Sequence, residues 1–175
     1  IKENVISRAE AYRLLSYLEF DKKSREALAV GITYADKNMS GWYDSYVNAV
    51  WKMGLIEGNI TESPEEALTL GQCKFLIDKL ITKKPILQGV YGSLSFNFLK
   101  ADNEMLIPQF LELYKALLNI LPDDEKMVKD EILFILDREI TEDGKDRIVT
   151  DLGRYYYLNS RDYEKFYNPE TDRSY

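Results

Sequence analysis

The residue types available for chemistry in this chain are restricted, because it contains no histidine and a single cysteine, Cys73. Serine and cysteine triads that use histidine are therefore excluded, as are histidine-based zinc sites and a disulfide within the chain. Carboxylates are plentiful, at 30 aspartates and glutamates. A pair of them acting as acid and base, as in a glycosidase, is the chemistry that the residue inventory still allows.

Two acidic clusters are candidates for chemistry, residues 123–125 as an acid-base pair and residues 142–146 as a calcium loop, and a helix start and a hairpin turn respectively explain them. Residues 123–125 follow Pro122 at a predicted helix start, where the helix dipole favours negative charge. Residues 142–146 have a passing likeness to a calcium loop, but the alternating oxygen ligands and the distal bidentate glutamate are missing. Cys73 is expected to be a buried apolar side chain. We predict no catalytic residue, no metal and no cofactor, so a catalytic domain, if there is one, lies outside this chain.

The charge of the chain argues against nucleic acid as a partner. The formal net charge is -7 and the sequence pI is about 4.8, with lysines and arginines scattered along the chain. A phosphate backbone would therefore be repelled. No apolar run approaches the roughly 20 residues that a bilayer-spanning helix needs, so we also predict no membrane span.

The elements that would position a site begin with a repeated helix start. Ser7 is followed three residues later by Glu10, and Thr69 by Gln72. This is the spacing of a capping box, in which the cap hydroxyl and the side chain three residues on each bond to the other's backbone. Apolar residues recur at the same offsets after both caps, which predicts two helices with equivalent buried stripes. These residues are Leu14, Leu15 and Leu18 in the first helix and Leu76, Ile77 and Leu80 in the second.

A third helix completes the first part of the chain. It opens at Trp42 and is expected to end at Gly54 in a left-handed conformation. We therefore predict an all-helical module over residues 1–83, with a domain boundary near residue 84.

The second part of the chain has a mixed pattern. Polar and apolar residues alternate over residues 93–98, which predicts a strand. Pro108 opens an amphipathic helix that ends at Leu121. Asp-Gly at residues 143–144 lies between two strand-like runs and predicts an antiparallel hairpin. The predicted fold class is accordingly α+β, with a small α+β domain over residues 84–175.

The order of short motifs in the first part carries a family resemblance. Residues 6–10 read Ile-Ser-Arg-Ala-Glu, and Gly41-Trp42-Tyr43 and residues 53–58 follow. This order resembles that of S-layer homology domains over residues 5 to 82. The resemblance implies an extracytoplasmic bacterial module that binds cell-wall polysaccharide, with three repeats packed in a pseudo-threefold arrangement. It places the ligand contacts at Arg8 and Trp42.

Two departures from the family pattern bear on binding. The second helix start has Leu70 where the signature has arginine, and residues 59–66 replace the usual glycine-rich loop, so about one and a half repeats are visible. An acidic glycan would be held by the bidentate, charge-assisted contacts of arginine, which leucine cannot make. Binding would therefore depend on the Arg8 site.

The second part is similar to the region that precedes the catalytic domain in relatives of stage II sporulation protein D, a peptidoglycan lytic transglycosylase. The helix from Pro108 to Leu121 and the segment 149–157 carry this likeness. The catalytic motif of that family is not found in the sequence, so the resemblance implies a companion region of such an enzyme.

These observations lead to a functional hypothesis with one alternative. We expect a noncatalytic region of an exported bacterial protein, at the cell surface or cell wall, that attaches to wall polysaccharide or peptidoglycan through Arg8 and Trp42. Arg8 could instead occupy a solvent-facing first turn, and Trp42 could be a core residue. The alternative is a degenerate S-layer homology fold that serves as a scaffold for an adjacent peptidoglycan-acting domain and self-associates through faces that the missing repeats leave open.

Overall fold

The computed structural model of the chain describes residues 4–20, 24, 27, 41, 43–57 and 63–122. The helices are α1 at Arg8–Ser16, α2 at Asp44–Lys52, α3 at Leu70–Lys83, the 3₁₀ helix at Pro85–Ser93 and α4 at Ile107–Ile120. α1 is packed against α2, and the 3₁₀ helix is packed against both α3 and α4. The described ranges belong to one compact unit, Ile1–Lys126.

Both predicted capping boxes are confirmed. Ser7 Oγ accepts a hydrogen bond from Glu10 N at 3.1 Å, and Glu10 Oε1 accepts one from Ser7 N at 2.8 Å. Thr69 and Gln72 form the same pair of bonds at 3.1 and 3.0 Å. The two apolar stripes that follow are buried as predicted, since none of their six residues is more than 5% exposed.

A third helix start has the same geometry but lacks a cap hydroxyl. Leu106 N donates to Gln109 Oε1 at 2.9 Å. The start of α4 therefore has one of the two hydrogen bonds of a capping box, the bond from the cap backbone to the side chain three residues on. The leucine side chain has no oxygen with which to form the other half. The buried stripe nevertheless repeats at the offsets seen in α1 and α3, because Phe110, Leu113, Tyr114 and Leu117 are all fully buried.

The three helix starts meet in a closed ring of backbone hydrogen bonds. Each ring member is the fully buried residue that precedes a cap. Each donates to one neighbour and accepts from the other, which gives the ring pseudo-threefold symmetry and satisfies its buried polar groups. We call Ile6, Leu68 and Met105 the central ring. Ile6 N donates to Met105 O at 3.0 Å, Met105 N to Leu68 O at 2.8 Å, and Leu68 N to Ile6 O at 2.9 Å.

A second set of hydrogen bonds repeats this symmetry at the first residue of each helix. The first N–H groups of a helix have no acceptor within the helix and need one elsewhere. Here the acceptor is the carbonyl of the residue three positions before the cap of a neighbouring start. Arg8 N donates to Glu66 O at 2.9 Å, Leu70 N to Asn103 O at 2.8 Å, and Ile107 N to Asn4 O at 2.8 Å.

The predicted end of α2 and the predicted helix in the second part are also confirmed. Gly54 follows α2 with φ at 77°, and Leu55 N bonds back to Val50 O at 3.0 Å. This is the bond of a Schellman-type C-cap, which requires a left-handed residue that glycine adopts most readily. α4 begins and ends within one residue of the predicted Pro108 to Leu121.

The α+β prediction is wrong for the described part of the chain, which contains helices and no strand. Its β-type contacts are isolated bridges between the helix starts. Segment 93–98 alternates like a strand but is not paired with one. Ser95 N and Oγ instead bond to the Glu112 carboxylate at 2.9 and 2.6 Å, so a side chain supplies the acceptors that a neighbouring strand would have supplied. The hairpin predicted at residues 143–144 lies outside the described residues.

The predicted boundary near residue 84 lies inside the compact unit that contains the helix starts. The central ring joins Ile6 and Leu68, on one side of that position, to Met105 on the other. Independent folding of the two parts, residues 1–83 and 84–175, stays a prediction. Within the ranges given above, no helix combines the length and the apolar character needed to cross a membrane.

The cap at Thr69 provides a test of the second helix start. We expect Thr69→Ala to lower the free energy of unfolding by about 1 kcal/mol, because Gln72 N loses its acceptor. Thr82→Ala is the matched control in the same helix, since Thr82 Oγ1 donates to Asp78 O at an exposed position. The control should be neutral or slightly stabilising, because alanine favours the helix interior. Urea unfolding monitored by circular dichroism measures both, and equal effects would contradict the capping role.

Candidate functional site

Arg8, the predicted ligand contact, is the first residue of α1 and points across to the second helix start. Its side chain is only 7% exposed. Nε donates to Ser63 O at 3.1 Å and Nη1 to Ala67 O at 2.9 Å. Nη2 forms an ion pair with Glu66 Oε2 at 3.0 Å, and the Glu66 side chain is 71% exposed. The guanidinium therefore holds the segment before the second cap, and the Glu66 carboxylate covers its outer edge.

Gln72 connects this arginine to the capping box of α3. Gln72 Oε1 accepts from Thr69 N at 3.0 Å and also from Arg8 Nη1 at 3.3 Å. One side-chain oxygen thus closes the second helix start and binds the residue that begins α1. The position of Gln72 was predicted from the capping-box spacing, whereas its bond to Arg8 depends on the packing of the two starts.

Tyr43, at the start of α2, lies close enough to the same segment to respond to its charge. The tyrosine is buried, and this burial raises the pKa of its hydroxyl, with further increases from the negative charges of Glu65 and Asp44. The Tyr43 hydroxyl is therefore within electrostatic range of Glu65, which belongs to the segment that Arg8 holds.

The other two helix starts have no equivalent of the arginine. Leu70 and Ile107 occupy the corresponding first positions of α3 and α4, and both are buried. The backbone bonds of these two positions match those of Arg8, as described for the fold. The three starts are therefore alike in backbone and differ in side chain, and Arg8 places a cation at one interface.

Trp42, the second predicted ligand contact, lies outside the described residues. Its pairing with Arg8 consequently stays a prediction. The residue before it is described, and Gly41 N donates to Asp44 Oδ1 at 2.9 Å, so the Asp44 carboxylate caps the chain just before α2. Trp51, near the end of α2, is half-buried.

The partners of Arg8 could not be found from local spacing. Ser63, Glu66 and Ala67 lie 55 to 59 residues away in sequence. In the sequence, these residues are marked only by their position just before the second cap. That position indicates contact with Arg8 only once the first two helix starts are known to pack together. In the sequence, Tyr43 belongs to the motif Gly41-Trp42-Tyr43, which gives it no role of its own.

The described residues include neither a reactive thiol nor a cluster of metal ligands. Cys73 is fully buried, and desolvation raises the pKa of its thiol well above the ordinary value, so the thiolate that a nucleophile needs is disfavoured. In the part of the chain that the structure describes, no cluster of three or more cysteine, aspartate or glutamate side chains is placed to hold a metal ion.

Comparison of the chain with protein-family models, with curated proteins and with solved structures finds no match.

The contacts of Arg8 predict a structural role that can be measured apart from binding. We expect Arg8→Met to lower the free energy of unfolding by about 2 to 3 kcal/mol, because the Ser63 and Ala67 carbonyls lose a charged donor. Arg8→Lys should be intermediate, since an ammonium cannot reproduce the planar fork of a guanidinium.

Glu66→Gln is the comparison variant for this test, and its effect should stay below about 1 kcal/mol because the carboxylate is exposed. Chemical denaturation of the three variants measures the series. An Arg8→Met protein as stable as the parent would show that these contacts contribute nothing to the fold.

Proposed function

We propose that this chain is a noncatalytic module that attaches or positions an exported bacterial protein at the cell wall, on an S-layer-homology-like architecture. The central ring is the observation that carries this proposal. Three helix starts with equivalent bonds and equivalent buried stripes are what three repeats in a pseudo-threefold arrangement would produce. The third start also supplies a repeat that was not visible as a Ser/Thr-capped motif.

The ligand that suits the Arg8 site is an acidic wall polysaccharide. Glu66 is a carboxylate bound to the guanidinium at its exposed edge, so it occupies the position that an acidic group of a glycan would take. Arginine binds carboxylates through strong, charge-assisted bonds. A ligand would therefore exchange with Glu66 while the bonds to Ser63 and Ala67 remain in place.

A second candidate function is supported by the burial of the same arginine. Its bonds to Ser63, Ala67 and Gln72 account for a side chain that is 7% exposed without any ligand. Arg8 would then join the first two helix starts of a scaffold that serves an adjacent peptidoglycan-acting domain. The expectation of self-association loses its original argument, because the third helix start closes the ring that an incomplete set would have left open.

Sedimentation with purified cell-wall sacculi distinguishes the two functions. Glu66→Gln removes the competing carboxylate and one negative charge beside Arg8, so we expect retention by sacculi to rise about two- to fivefold if an acidic glycan binds there. Glu57→Gln is the matched control, because it makes the same change at another exposed glutamate. Arg8→Lys should reduce retention.

Melting temperatures of all the variants show whether a change in retention follows from a change in folding. Retention that is equal in the parent, Glu66→Gln and Glu57→Gln proteins would exclude the Arg8 site as the ligand contact. A parent protein that stays in the supernatant would favour the scaffold function.

A further inference from the structure

The three helix starts meet in three interfaces, which differ in how the chain connects them. The first interface joins the starts of α1 and α3, the second joins those of α3 and α4, and the third joins those of α4 and α1. The third interface therefore connects starts that do not follow each other along the chain. Each interface includes one antiparallel bridge, and the bridges pair Ser7 with Ala67, Thr69 with Glu104 and Leu106 with Val5.

A backbone hydrogen bond at the second residue of each helix distinguishes the third interface from the other two. At the first interface, Ala9 N donates to Pro64 O at 2.6 Å, and at the second, Gly71 N donates to Ala101 O at 2.9 Å. Both acceptors lie five residues before the cap of the neighbouring start. The corresponding residue of α4 is Pro108, which has no backbone N–H. The third interface therefore cannot form this bond.

The first two interfaces also have contacts that depend on the side chains, or their absence, at the beginning of the helix. At the first interface, the Arg8 guanidinium donates to Ser63 O and Ala67 O. At the second, a Cβ at Gly71 would lie 2.9 Å from the Ala101 Cβ, so the close approach of the two backbones depends on glycine. Different residues therefore strengthen these two interfaces.

The backbone bonds across the third interface can break without disturbing those of the other two. They run from Ile6 N to Met105 O at 3.0 Å and from Ile107 N to Asn4 O at 2.8 Å. Leu68 would keep its bonds to Ile6 O and from Met105 N, because these belong to the first and second interfaces. Among the described residues, three backbone bonds cross each of the first two interfaces and two cross the third.

We propose that the third interface is a seam at which the closed ring opens, so that residues 4–6 act as a strap that releases from the start of α4. Proteins open locally where the fewest stabilising contacts have to be broken. The third interface meets this condition because Pro108 removes one of its backbone bonds. Opening would expose the buried backbone of Ile6 and Met105 to water while the first and second interfaces stay closed.

The strap is separate from the proposed ligand contact. Arg8 forms its side-chain bonds with Ser63, Ala67 and Gln72, all of which belong to the second helix start. These bonds lie at the first interface, so opening of the seam would leave them in place. The inference therefore does not depend on the proposed wall function.

Amide hydrogen exchange of the 175-residue chain, measured residue by residue by NMR, tests the inference. We expect the Ile6 and Ile107 amides, which donate across the seam, to exchange about fivefold faster or more, relative to their intrinsic rates, than the Leu68 and Met105 amides of the same ring. Arg8 and Leu70 are the matched comparisons for Ile107, because each is the first residue of its helix. Equal protection at the three interfaces would overturn the inference.

A disulfide across the seam provides a second measurement. Val5 and Leu106 are opposite each other in an antiparallel bridge flanked by the two seam bonds, where Cα atoms lie about 4.5 Å apart, a separation that a disulfide can span. In the Val5→Cys, Leu106→Cys protein, oxidation should slow exchange at Ile6 and Ile107 about fivefold or more relative to Leu68. The native Cys73 is buried and does not take part.

The matched control places the disulfide at the second interface, as Thr69→Cys with Glu104→Cys. Each variant is compared with its own reduced form, so the loss of a cap or of a buried side chain cancels. The control disulfide should leave exchange at Ile6 and Ile107 unchanged relative to Leu68. If either disulfide slowed exchange at all the ring amides equally, those amides would exchange through unfolding of the whole unit, and the seam would be excluded.

Discussion

The hydrogen bonds of the central ring are the constraint on which the described fold depends. Ile6, Leu68 and Met105 are fully buried, and a buried backbone donor or acceptor without a partner is costly. Each residue can meet this requirement only if the other two are in place, because each donates to one neighbour and accepts from the other. The helix starts are therefore fixed relative to one another before their side chains are considered. The positions of α1, α3 and α4 follow from this arrangement.

The ring also joins residues that lie on either side of the boundary predicted near residue 84. Its members are separated by 62 and 37 residues along the chain, so forming it closes two long loops. Hydrogen bonds between such distant residues cannot be predicted from the local sequence pattern, which indicates a helical first part and a mixed second part. α4 lies in the second part of the chain, and its start contributes to the same ring as the starts of α1 and α3. A change in sequence character therefore does not have to coincide with a gap between packed units.

Local spacing predicted the parts of the fold that depend on local bonds. The boxes at Ser7 and Thr69, the C-cap at Gly54 and the amphipathic helix after Pro108 all concern residues within five positions of each other. The third start was missed because Leu106 lacks the hydroxyl that marks a cap. Gln109 and the buried stripe that begins at Phe110 were the remaining signals, since they repeat the offsets of the other two starts.

The wrong strand prediction and the unforeseen partners of Arg8 have a common physical origin. Alternation over residues 93–98 describes which side chains face the same way, but it says nothing about whether a second strand is available. The Glu112 carboxylate satisfied Ser95 instead. Arg8 was correctly placed at the first turn of a helix, yet the residues that surround it come from before the second cap. In both cases the partner is distant in sequence, and only packing determines it.

The backbone of the three helix starts is fixed by this packing, whereas the side chains at the first position of each helix are not. Backbone atoms form the central ring, so its geometry places no demand on the side chains at the first position of each helix. Arg8, Leu70 and Ile107 make equivalent backbone bonds with different side chains. One interface therefore contains a guanidinium while the backbone bonds of the three starts remain equivalent. Chemistry specific to this chain is therefore expected where the three starts differ, at Arg8 and Glu66.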